Sequence, residues 1–207
     1  MIKHMMEQSS EAWHEIRLGR FTGTRIKNLM SAKSTLSYKD TITDVAVEIL
    51  TGVKDESYTN EIMQRGIDLE PEARGHYEQL FECKVDEVGF IEPDESNYSD
   101  WAGISPDGLV GDHGMIEIKC PKAKTLFKYI KSGKLPTEYR WQVQSQLWIT
   151  GRDWCDFMAY YPGLKPFILR VYPDQDDFEK IYHELNVAIH EVKKAIKEYK
   201  QYDYLNE

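Results

Sequence analysis

The chemistry in this sequence centres on two short stretches. Ser105-Pro106-Asp107-Gly108 is followed, ten residues after Asp107, by Glu117-Ile118-Lys119. In a strand, alternate side chains face the same side. Glu117 and Lys119 would then point together, with Ile116 and Ile118 turned the other way into apolar packing. Asp107 is expected just before the turn of a hairpin whose return strand carries Glu117, so the two carboxylates can converge. Oxygen donors from two strands, with room for water, suit a hard divalent cation, Mg²⁺ first and Mn²⁺ as a substitute. The backbone carbonyl of Ile118 is placed to be a further ligand. Such a cation activates water and polarises a phosphoryl oxygen. Lys119 can orient or deprotonate that water and balance developing charge. Glu-x-Lys alone is a common same-face ion pair, so the meaning rests on what else gathers around it.

Three other segments bear on that. Gly66, Glu70, Ala73 and Tyr77 recur at helical spacing, with Glu70 the lone acid in an otherwise small or aromatic stripe. It can lean toward a metal centre as a third carboxylate. In Tyr139–Trp148, Gln142 and Gln146 lie four apart on one helical face, and a buried amide needs a partner. Near the start, Arg17 offers a forked donor suited to phosphate, and a helix beginning around Thr24 presents free backbone N–H groups.

The elements that must hold these residues follow from periodicity. Ser10 to Met30 reads as two short helices around a turn, the first capped by Ser9 or Ser10, the second by Thr22-Gly23-Thr24. Residues 39–50 are helical and stop at Gly52. Residues 61–82 are helical, with Pro71 either starting a new helix or kinking a longer one. Short Val/Ile-rich strands are expected at 85–91, 101–104 and 115–119, with Gly111–Gly114 as a hairpin turn. A helix over 138–150, strands at 155–161 and 166–172, and a long helix over 175–200 capped by Asp174 complete the chain. The fold class is α/β, a central mixed β-sheet flanked by helices, in one domain spanning 1–207.

Composition narrows the function. With 207 residues, 41% hydrophobic and 29% charged, the sequence has the balance of a globular domain. It contains no apolar run long enough for a membrane span and no leader-like apolar stretch at its start, so a cytoplasmic location is expected. Three separated cysteines and six histidines without ligand spacing argue against a disulfide framework or a zinc site. The net charge is −9, yet residues 119–140 carry seven bases against one acid, while 55–100 carry fourteen acids against three bases. A local basic surface beside an acidic, cation-seeking centre is the functional reading of that asymmetry.

Taken together, Ala12-Trp13-His14 with Ile16-Arg17-Leu18-Gly19, Ser105–Leu109, Glu117–Pro121, and Gln142-Val143-Gln144 with Trp148 resemble the lambda exonuclease-type (YqaJ-like) viral recombination nucleases of the PD-(D/E)XK superfamily. The resemblance spans roughly residues 9–172. It implies a restriction-endonuclease-like core, with Asp107, Glu117 and the Ile118 carbonyl as metal ligands and Lys119 as the catalytic lysine. It implies that Glu70 holds metal-bound water or a second metal, that Gln142 lines the same centre, and that Arg17 and Thr24 receive a terminal 5′-phosphate. Thr24 stands where the type enzyme has serine, so the hydroxyl is kept. The implied activity is Mg²⁺-dependent 5′-to-3′ digestion of one strand of linear duplex DNA by two-metal hydrolysis, leaving a 3′ tail. The implied partners are double-stranded DNA ends, two further copies in a ring-shaped homotrimer, and a single-strand annealing protein. A ring lets an acidic chain hold DNA in a basic channel, for which Lys122, Lys124, Lys128 and Lys131 are the candidates. Two other readings share these residues: an endonuclease or single-strand nuclease, and a DNA-end-binding module that no longer turns over.

Overall fold

The computed structural model describes residues 1–54, 61–94 and 97–203, with residues 61–63 described by backbone only. Five strands make one mixed sheet in the order β2-β4-β5-β6-β7: β2 Val85–Asp86, β4 Gly108–Val110, β5 Gly114–Lys119, β6 Trp154–Ala159 and β7 Phe167–Val171. Only β5 and β6 run parallel. β1 Ile2–His4 and β3 Phe90–Glu92 form a separate antiparallel pair. The helices are α1 Glu11–Ile16, α2 Gly23–Leu29, α3 Leu36–Thr51, α4 Glu61–Phe81, α5 Ala123–Ser132, α6 Thr137–Thr150 and α7 Gln175–Gln201.

The pleat of β5 sorts its side chains between two apolar layers. Ile116 and Ile118 pack with Ala73 and Tyr77 of α4, together with Val85, Met158 and Tyr160. Met115 faces the larger core, which Phe157, Val143 and Leu147 share with Ile26, Val45 and Ile181. So α4 covers one face of the sheet, and α2, α3, α6 and α7 cover the other. The apolar stripe of α7 buries Ile181, Leu185, Ala188 and Val192, and the Asp174 side chain caps it by accepting from the Asp177 N–H at 3.2 Å.

Several boundaries differ from the sequence expectation. The strand expected at 85–91 is two strands in different sheets. Val88 and Gly89 carry the chain from one to the other, and a Cβ on Gly89 would lie 2.4 Å from the Met6 carbonyl oxygen. Residues 101–104 form no strand; they make only isolated bridges, Ala102 to Phe21 and Ile104 to Ile91. Asp107 is not beside the hairpin turn. It precedes β4, at the opposite end of that strand from the turn. Pro71 sits inside one continuous helix rather than beginning a new one. β1 and α5 were not expected at all.

Candidate active site

The site is opened by an uneven pairing of β5. On its β6 side β5 is paired from Gly114 to Lys119, but on its β4 side only from Gly114 to Ile116. Glu117, Ile118 and Lys119 therefore overhang the end of β4. The Ile118 N–H, left without a strand partner there, donates to Asp107 Oδ2 at 2.6 Å. Successive carbonyls of a strand point to opposite edges. The Lys119 carbonyl accepts from the Tyr160 N–H on the β6 side. The Ile118 carbonyl accordingly faces the open edge that Asp107 occupies.

Glu117 is fully buried, and hydrogen-bond donors surround its carboxylate. Its Oε1 accepts from Gln142 Nε2 at 2.6 Å and from Lys119 Nζ, and its Oε2 accepts from Gln146 Nε2 at 2.6 Å. A carboxylate out of water needs such donors. Gln146 itself leaves its Oε1 buried with no protein partner. The negative charge dictates which end of the amide faces it, even though the other end loses a hydrogen bond. The Lys119 ammonium lies 5.7 Å from the Tyr139 ring centroid. Burial alone would lower Lys119, but the Glu117 and Asp107 carboxylates outweigh it and hold it above its ordinary range.

Asp107 is pushed well above the usual carboxylate range, first by burial, then by the Glu117 charge and, more weakly, by Glu70. Glu70 is also raised by burial, against the opposing pull of Arg74 and Lys119. Three carboxylates thus feel one another around a single ammonium. Among the described residues no group of three or more His, Cys, Asp or Glu side chains is arranged to hold a metal ion. The hard donors present are the Asp107 and Glu117 carboxylates and the Ile118 carbonyl. Their oxygen chemistry and uncompensated negative charge fit Mg²⁺ or Mn²⁺.

A second pocket lies beside this centre. It has a volume of about 380 Å³, and its lining sets His14, Arg17, Arg25 and Lys54 against the acids Asp44 and Glu48, with the Thr22 and Thr24 hydroxyls between them. Arg17 stacks 4.0 Å from the Trp13 ring and donates to Ser105 Oγ at 2.8 Å and to Thr22 Oγ1 at 3.3 Å. Burial, then the nearby Arg25 charge, lower Arg17 to about 10, against the weaker opposing pull of Glu48. Trp13 Nε1 also donates to Ser105 Oγ, at 2.9 Å. Ser105 is two residues from Asp107, so one loop touches both pocket and carboxylate centre. α2 begins at Gly23, whose added Cβ would lie 3.4 Å from Gln142 Cγ, so the pocket also abuts the Glu117 clamp.

The structure thus gathers Asp107, Glu117, Lys119, Gln142 and Glu70 at one centre and Arg17 and Thr24 at its neighbour. Lys122, Lys124, Lys128 and Lys131 stand apart, exposed on or at the start of α5. Sequence reasoning did not assign Gln146 or Ser105 a role. For Gln146 the signal was its shared face with Gln142; for Ser105 there was only its place in the Asp107 loop.

With this geometry in view, comparison with known proteins is informative. Residues 12–153 match the YqaJ-like viral recombinase domain. The chain belongs to that family. An alkaline exonuclease, LHK-Exo, from Laribacter hongkongensis superposes with a TM-score of 0.84 at 36% identity, over 93% of this chain and 97% of that one. The same enzyme in complex with dAMP matches at 0.84 and 37% identity, with the same coverage. A phage-related exonuclease from Haemophilus somnus shares the fold, with a TM-score of 0.63 at 17% identity, over 86% of this chain and 96% of that one. No curated protein matches.

Proposed function

We propose that this protein is a metal-dependent exodeoxyribonuclease that degrades one strand of linear duplex DNA from the 5′ end and leaves a 3′ single-stranded tail. The observation that carries this reading is the adjacency of two sites: a carboxylate–lysine centre and a cationic pocket joined through Ser105-Pro106-Asp107. A pocket holding a terminal phosphate beside a hydrolytic centre selects chain ends over internal positions. The kinship with an alkaline exonuclease supports the same activity.

Asp107, Glu117 and the Ile118 carbonyl would hold Mg²⁺, with Glu70 toward a second ion or its water. When bound, the ion supplies Lewis-acid polarisation of the phosphoryl group. The chain's own residues do the rest. Gln142 and Gln146 fix the Glu117 carboxylate in one orientation. Lys119 balances charge that builds on the phosphoryl oxygens and orients the attacking water. Arg17, with the Thr24 hydroxyl and Ser105, receives the terminal 5′-phosphate through a planar, forked donor. We further propose a ring of three copies acting beside a single-strand annealing protein. Among the described residues no helix is long and apolar enough to cross a membrane.

Digestion of a 5′-labelled linear duplex beside its covalently closed circle, with Mg²⁺, with EDTA and with Asp107→Ala, tests the reading. Loss of 5′ label from the linear form only, abolished by EDTA and by the substitution, is the expected result. Cutting of the circle would move the protein to the endonucleases. Duplex ends bound but uncut with any divalent ion would make it a docking module.

A further inference from the structure

Arg74 stands behind Glu70 at the edge of the carboxylate centre. It lies one helical turn after Glu70 on α4 and is only 13% exposed. Its guanidinium is forked between two acids. Nη2 donates to Glu70 Oε1 at 2.9 Å, and Nη1 meets Glu87 Oε1 at 2.5 Å. Its Nε is buried with no hydrogen-bond partner. Arg74 spends both ends of its fork on carboxylates from two different elements. Glu87 lies in the loop after β2, so Arg74 ties that loop to α4 on one side and Glu70 on the other.

We infer that Arg74 is a positioning residue: anchored by Glu87, it holds the Glu70 carboxylate aimed at the metal centre. This rests on the reading of Glu70 given above and extends it. Glu70 stands in the field of Asp107 and Glu117, two like charges that would drive it away. The i,i+4 bond to Arg74 opposes that repulsion and leaves the second oxygen, Oε2, outside the pair. Lysine keeps the charge but has one ammonium rather than a fork, so it cannot hold Glu70 and Glu87 in the same geometry.

The test is a cycle of Arg74→Lys, Glu70→Gln and the double variant, with Glu87→Gln as the peripheral change. Each is read by calorimetric titration with Mn²⁺ and by kcat and KM on linear duplex. Arg74→Lys is expected to weaken Mn²⁺ binding at the Glu70-dependent site about 10-fold and to lower kcat while KM for DNA ends holds. In the Glu70→Gln background it adds nothing further, because its effect passes through Glu70. Glu87→Gln, whose acid is 70% exposed, lowers kcat by no more than about fivefold. Wild-type Mn²⁺ affinity and kcat in Arg74→Lys would overturn the inference, as would a loss that adds in full to that of Glu70→Gln. If Glu70→Gln alone changed neither quantity, the reading of Glu70 itself would fall, and the role of Arg74 with it.

Discussion

A carboxylate with no exposure to water is stable only while its donors are in place, and that makes the Glu117 clamp the most sensitive group of residues here. Among the described residues Gln146 is the one partner of Oε2, while Oε1 is shared by Gln142 and Lys119. Gln146→Leu keeps the volume and removes the donor. It is expected to cost about 1–3 kcal/mol in denaturant unfolding. It should also lower kcat about 10- to 100-fold, as loss of a partner behind a metal ligand does. Unchanged kcat at reduced stability would make Gln146 a packing residue only. The convergence of Asp107, Glu117 and Lys119 was expected from type and spacing, while Gln142 joined them through the family resemblance. Gln146, Ser105 and Arg74 were not legible in the sequence, because each owes its role to a partner that only the fold brings near: Glu117 at a separation of 29 residues, Arg17 at 88, and Glu87 beyond the end of α4.

Among the elements, α3 acts as a brace for the pocket. Glu48 on α3, 4% exposed, accepts from the Gly19 N–H at 2.9 Å and from both Arg25 terminal nitrogens at 2.8 and 2.6 Å. It fastens the turn between α1 and α2, where Gly19 has φ +67 and an added Cβ would lie 2.6 Å from Ile49 Cγ1. Burial tends to raise Glu48, but Arg25 and the Gly19 amide outweigh it and hold its carboxyl below the ordinary 4.5. A group depressed in the folded state contributes stability that is full above its unfolded pKa and is lost as pH falls through the folded value. Glu48→Gln is therefore expected to lose about 2–3 kcal/mol near neutrality. The gap from wild type should close as pH falls below the ordinary 4.5 and through the folded value beneath it, since the wild type alone surrenders this increment. Melts at several pH values check this, and a constant gap would deny the ion pair its role. The long helices and the β5 hairpin were readable from period and caps. The split of β2 from β3 was not, because Gly89 interrupts the 85–91 run without revealing which sheet each half joins. α5 was legible but missed: Ala123, Leu126, Phe127 and Ile130 recur at helical spacing and Gly133 follows, yet the lysines between them drew the reading to charge alone.

For the molecule as a whole, the proposed function poses the problem of how a chain of net charge −9 would hold a polyanion. The distribution of charge offers an answer. α5 leaves the catalytic strand directly after Lys119 and turns Lys124, Lys128 and Lys131 to solvent, with Lys122 at its cap. Inwardly, Tyr129 of α5 packs against Phe157, which also meets Tyr139, the ring beside Lys119. The cationic face is thus rigidly tied to the centre without entering it. Under the proposed function, a basic surface so placed can track the DNA backbone. Reversing Lys124, Lys128 and Lys131 to glutamate should leave the fold intact, because all three are exposed. If each neutralises one phosphate of a duplex, the slope of log affinity against log salt becomes shallower by about 2.7, and processivity falls. The rate of the first cleavage at saturating DNA should hold, since none of the three touches Asp107, Glu117 or Lys119. A salt slope and product-length distribution equal to wild type would mean that DNA runs along another face, and that these lysines serve only to keep an exposed helix in water.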